Sequence, residues 1–164
     1  MGKAAESAPP RAAELRVAVV AARYNAELVE QLIAGARAAW QAAGGAAGAL
    51  RLERVPGAFE LPLAAQTLAR SGEYDAIVAL GCVIRGDTAH FDFVAGECAR
   101  GLQQAMLSTG VPIAFGVLTT ENLAQAQERA APGAHNKGAE ALHTALSMAQ
   151  LLRRCRAPAA GRGS

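Results

Sequence analysis

The stretch DAIVALGCVIRGDTAHFDFV, residues 75–94, decides how this chain folds. After Asp75 its first half is apolar without interruption, through Ile84. A strand with one wet face alternates in polarity. This one does not, so both of its faces must be covered, as in a parallel sheet packed between helices. Then the character changes abruptly. Arg85, Gly86, Asp87 and Thr88 leave the apolar run, and His90 opens a segment with helical spacing over 90–108. Strand, short polar turn and helix make one unit of a βα fold.

The same grammar extends in both directions. Residues 15–22 (LRVAVVAA) read as a second buried strand. Residues 27–43 set Leu28, Leu32, Ile33, Ala36 and Trp40 on one helical face, with a cap at or near Asn25 and Gly44 as the stop. Residues 49–55 form a strand nearer an edge, because Arg51 and Glu53 alternate with Leu50 and Leu52. Residues 59–70 form a helix, with Pro62 tolerable only in its first turn. A fourth strand spans 112–118, and helices span 122–130 and 137–154. Strands separated by helices imply right-handed crossovers. The expected fold is a three-layer α/β/α sandwich around a four-stranded parallel sheet, flavodoxin-like in outline. Residues 15–155 form one domain, 1–14 a flexible arm and 156–164 a disordered tail.

Composition agrees and narrows the function. A chain of 164 residues suits one domain. It is 52% hydrophobic but only 4% aromatic, so the core is built from Ala, Val, Leu and Ile. A net charge of +2 is too near balance for a nucleic-acid partner. No apolar run reaches the roughly 18–20 residues of a membrane span, so no membrane partner is expected. The first residues, MGKAAESAPPRAAE, lack the apolar segment of a secretory signal. Cys82, Cys98 and Cys155 offer neither zinc spacing nor a disulfide framework. Each reads as a small buried hydrophobe in a reducing, cytoplasmic setting.

Ligands of such sheets bind outside the carboxyl ends of the strands. Arg23, Tyr24 and Asn25 follow the first strand, and PGAFE at 56–60 follows the second. Residues 85–93 follow the third, and the fourth holds Phe115 and ends in TTEN at 119–122. All four phenylalanines and Tyr24 fall at this rim. They either hold a flat ligand by stacking or close the top of the core. Gly86, Asp87 and Thr88 precede a helix, where backbone N–H groups favour an anion, with Arg85 or Arg129 as cationic partner. Alternatively, Asp87 and Thr88 cap that helix. His90, in its first turn, suits proton shuttling. His135 and His143 have no such setting. No nucleophile elbow, P-loop, dinucleotide fingerprint or metal-ligand spacing is present in the sequence.

Taken together, RYN at 23–25, VPGAFELP at 55–62, GCVIRGDTAHFDFV at 81–94, PIAFGVLTTEN at 112–122, ER at 128–129 and NKG at 136–138 strongly resemble the lumazine synthase family. The resemblance spans roughly residues 15–155. It implies a step of riboflavin biosynthesis, the condensation of 5-amino-6-(D-ribitylamino)uracil with 3,4-dihydroxy-2-butanone 4-phosphate to 6,7-dimethyl-8-ribityllumazine, with no metal or other cofactor. It also implies roles. His90 resembles the proton shuttle. Tyr24, Asn25, Ala58, Phe59, Glu60, Cys82, Val83, Ile84 and Phe115 would hold the pyrimidine and ribityl chain. Asp87, Thr88, Arg129 and Lys137 would hold the phosphate. Phe115 and Arg129 would come from an adjacent subunit, so the expected partners are small-molecule substrates, further copies in a pentamer or multiple of five, and riboflavin synthase. Tyr24 departs from the Phe or Trp common at its position, and AAPGAHNKG at 130–138 departs from a more glycine-rich loop. The same fold would also suit a flavin- or nucleotide-binding module without turnover, or a shell-forming protein.

Overall fold

In the computed structural model, which describes residues 10–158, four parallel strands form one sheet in the order β2-β1-β3-β4. They are β1 (Val17–Ala22), β2 (Leu50–Val55), β3 (Ala76–Ile84) and β4 (Ile113–Thr120). The helices are α1 (Ala26–Ala42), α2 (Leu61–Arg70), α3 (His90–Thr109), α4 (Leu123–Ala130) and α5 (Lys137–Arg156). This is the three-layer α/β sandwich that the sequence implies. β2 lies at an edge, as its charge alternation indicated, and β1 and β3 lie inside.

The two central strands are buried on both faces because both helical layers need them. Val78 and Leu80 of β3, with Val17 and Val19 of β1, pack against Leu32 and Ile33 of α1 and Leu142 and Leu146 of α5. Ile77 and Ala79, with Ala18 and Val20, pack against Leu61 and Ala65 of α2 and Cys98 and Leu102 of α3. Each fully buried Val, Leu or Ile stabilises the fold by about 1.5–3 kcal/mol. The layer of α1 and α5 is tight. A Cβ on Gly138 would stand 1.9 Å from Leu32 O, so the two helices meet backbone to backbone.

Asn136, 1% exposed, locks that junction. Its Nδ2 donates to Ala130 O at 2.7 Å, Gln31 O at 3.1 Å and Ala131 O at 3.3 Å. Its Oδ1 accepts from the N–H groups of Gly138 at 2.9 Å and Ala139 at 3.0 Å, capping α5. A single amide thus ties α1, α4 and α5 together.

Several boundaries differ from the sequence reading. Residues Ala58–Glu60 form a 3-10 turn, and α2 begins only at Leu61. β4 runs on to Thr120, because Ile84 pairs with Thr120 and the Arg85 N–H donates to Thr120 O at 2.8 Å. Ala12, assigned to the arm, is fully buried and donates its N–H to Ala43 O at 2.9 Å. Gln150 Nε2 donates to Arg11 O at 2.6 Å. The rest of the expected arm, 1–9, and the tail from 159 lie outside the described residues. Gly44 does stop α1, at φ +79.

Replacing Asn136 by Ala should destabilise the chain by about 3 kcal/mol, because it strands several buried backbone groups at once. Chemical denaturation of wild type and variant measures this. A loss below about 1 kcal/mol would mean that the amide is not the lock.

Candidate active site

The strand order reverses between β1 and β3, and in open α/β sheets the crevice at that reversal takes the ligand. A cleft of about 580 Å³ lies there. That size suits a small organic ligand. The end of β1 contributes Tyr24 and Asn25 to its wall. The connection from β2 contributes Gly57, Ala58, Phe59 and Glu60. β3 contributes Cys82, Val83 and Ile84, and α3 contributes His90, Phe93 and Val94.

The aromatics decide between the two readings of the rim. Tyr24 is 73% exposed, Phe59 59% and Phe93 68%. Rings so open do not close the core of this chain, which leaves their faces available to a ligand. Glu60 and Tyr24 converge over Gly57, where a Cβ would meet Glu60 Oε2 at 3.1 Å and Tyr24 Cδ2 at 3.2 Å.

Asn25 has φ 54 and ψ 48, the left-handed region. Asparagine is one of the few non-glycine residues that adopt this region readily. The expected side-chain cap of α1 does not form. Asn25 Nδ2 instead donates to Cys82 O at 2.9 Å, tying the end of β1 to the end of β3 beneath the cleft. The bond thus engages the carbonyl of Cys82, itself one of the residues expected to hold the ligand.

His90 is the first residue of α3 and is exposed at the cleft. The capping reading holds only weakly and only for Thr88, whose Oγ1 accepts from the His90 N–H at 3.4 Å; the N-cap residue itself, Ala89, makes no side-chain bond. The start of α3 therefore keeps its other first-turn N–H groups and the positive end of the helix dipole free of a side-chain cap. Asp87 and Thr88 are exposed on the turn leading to it and do not line the cleft. Nor is Arg85 free for a ligand anion. Asp92 and Glu121 engage its guanidinium.

Cys82 is a wall and not a nucleophile. Burial pushes its thiol up to about 11. Burial does the same to Cys98. Cys155, expected to be buried, is exposed on the last turn of α5.

A second cleft, of about 390 Å³, lies along the outer edge of β4. Phe115 and Thr119 come from β4, Arg129 from α4, and Lys137, Glu140 and Thr144 from α5. Arg129 Nη1 donates to Gln125 O at 3.0 Å, and its nearest recorded carboxylate, Glu128, is 4.0 Å away. Lys137 pairs with Glu140. Apart from Asp87 and Thr88, which line neither cleft, the candidate residues fall into two groups that share no wall. Phe93 was counted among the rim aromatics but given no individual role, and Glu140 was missed by the sequence reading. Each lies one helical turn from a candidate, His90 or Lys137, which was the available signal.

A model of the 6,7-dimethyl-8-ribityllumazine synthase family matches residues 14–153. The chain belongs to that family. The matched span includes all four strands and every residue of both clefts. Membership in the lumazine synthase family supports an enzyme of riboflavin biosynthesis acting on small molecules. Among the described residues, no helix is long and apolar enough to cross a membrane, and no cluster of His, Cys, Asp and Glu could hold a metal ion.

The cysteines give a direct test. A thiol at about 11 is only about 0.1% thiolate at pH 8. A thiol-reactive dye at pH 8 should label one cysteine rapidly in the native chain and the other two only on unfolding. Rapid labelling of Cys82 would contradict its burial.

Proposed function

We propose that this chain condenses 5-amino-6-(D-ribitylamino)uracil with 3,4-dihydroxy-2-butanone 4-phosphate, forming 6,7-dimethyl-8-ribityllumazine, phosphate and water. The observation that carries the reading is the division of the chemistry between two clefts with no residue in common. One offers ring faces, backbone edges and an imidazole. The other offers cations.

In this reading the first cleft takes the pyrimidine. Tyr24 and Phe59 stack on the ring, and Asn25, Ala58, Glu60, Cys82, Val83 and Ile84 surround its edge and the ribityl chain. Arg129 binds the phosphate of the other substrate, supported by Lys137, while Asp87 and Thr88 bring backbone and hydroxyl donors at the uncapped start of α3. Arg129 and Phe115 lie on the far flank, so they serve the first cleft of a neighbouring subunit. The working unit is then a homo-oligomer, a pentamer or a multiple of five, with riboflavin synthase as a further partner.

The substrate amine attacks the ketone, and water leaves as a Schiff base forms. Phosphate is then eliminated, and the ring closes with loss of a second water. Each step moves a proton, and His90 stands between the two substrates to carry it. Aligning two reactants is worth up to about 7–11 kcal/mol, so positioning supplies much of the acceleration.

Incubation with both substrates should produce the absorbance and fluorescence of the lumazine. Tight flavin binding with no product would favour a binding module instead. His90→Ala should lower kcat by about 10²–10⁴-fold with the fold intact. An unchanged kcat would remove His90 from its role. Mixed oligomers of His90→Ala and Arg129→Ala chains should regain about one quarter of wild-type activity, because random neighbours then complete that share of sites. No recovery in oligomers shown to be mixed would place both residues in one subunit's site.

A further inference from the structure

His90 sits at the end of a turn with little holding it. Residues 86–89 are exposed, and α3 starts without a side-chain cap. The hydrogen bonds recorded within the turn and its junction with α3 are two. The His90 N–H approaches Thr88 Oγ1 at 3.4 Å, and the Asp92 N–H donates to Ala89 O at 3.1 Å. A group that transfers protons between bound substrates needs a tighter hold, within about 0.5 Å and 10–20° of its working geometry.

Arg85 supplies a hold from outside the turn. Its backbone N–H donates to Thr120 O at 2.8 Å, extending the pairing of β3 and β4 one residue past Ile84. Its side chain then spans the turn. Nη1 donates to Asp92 Oδ2 at 3.2 Å, and Nη2 lies 3.0 Å from Asp92 Oδ1. Nε donates to Glu121 Oε2 at 2.8 Å. The guanidinium carbon lies 4.2 Å from the centre of the Phe91 ring. The two residues directly after His90 are thus grasped together, one by a two-pronged ion pair and one by stacking. The other end of the grip is the junction of β4 and α4.

We propose that Arg85 is a positioning residue for His90. It clamps the first turn of α3 to the ends of β3 and β4 and so aims the imidazole into the first cleft. This rests on the reading of His90 as the proton shuttle. The device needs arginine, because a lysine ammonium is a point charge that cannot make the fork and the stack at once. Exposed ion pairs add little to global stability, so the effect is local.

The test uses the full chain with Arg85→Gln, Arg85→Lys and Asp92→Asn. Arg85→Gln should lower kcat by about 10–100-fold, the scale of a misplaced catalytic group, with little change in either KM. Arg85→Lys and Asp92→Asn should show part of the loss. In a His90→Ala background Arg85→Gln should cost nothing further. Hydrogen exchange should quicken at the amides of Phe91, Asp92 and Phe93 in Arg85→Gln and stay unchanged at Leu102. The proposal is overturned by an unchanged kcat, or by the same fold-loss with and without His90. It is also overturned by a rise confined to the KM of the phosphorylated substrate, which would make Arg85 a phosphate ligand. If wild type makes no lumazine, the functional reading fails separately, and unaltered exchange at residues 91–93 would still dispose of the clamp.

Discussion

β3 has no surface of its own. From Ala76 to Cys82 every residue is buried, and the flanking strands and two helical layers leave no place for a charge. A polar group inserted there would lose its water with nothing to replace it. Reactive side chains therefore stand only where the strand leaves the sheet. The abrupt change at Arg85 follows directly. The same holds for β1, fully buried through Ala22 and followed at once by exposed Arg23 and Tyr24. The rigidity of the site is inherited from two strands that are themselves inert.

Around that inert pair, a few polar side chains fix what the core cannot. Asn25 joins the ends of β1 and β3. Asn136 joins three helices. Arg85 joins β3, α3 and the end of β4. All three act by bonding elements distant in sequence. Among the described residues, no buried side-chain polar atom is left without a partner. An alanine-rich core packs closely but non-directionally, so orientation near the clefts comes from such bonds.

Those bonds are what the sequence leaves hidden. The periodicities expose the strands and helices, because burial on one face or two is written in each residue's own polarity. The edge position of β2 and the stop at Gly44 were legible for the same local reason. The gathering of aromatics at one rim was legible once the strand ends were placed, but whether they faced inward was not. The partner of Asn25 is 57 positions away and the far partner of Arg85 is 36 away, so neither has a local signature. Ala12 reads as part of a flexible arm because its contact, Ala43, lies across the first helix. The division into two clefts depends on strand order. The residues alone offer Arg129 as a cationic partner for the turn before His90, and the strand order puts the two in separate clefts.

The lid on one face of β3 also has a history in time. Val78 and Leu80 are made early, but Leu142 and Leu146, which cover them from α5, come more than sixty positions later in the chain. At roughly 5–20 residues per second, a growing chain carries that apolar face incompletely covered for several seconds. Arg129 and Lys137 also emerge well after His90. A chain cut short before α5 would thus be sticky and would lack part of its second cleft. For a nascent chain, α5 is the seal of that face and the supplier of the second cleft's lysine.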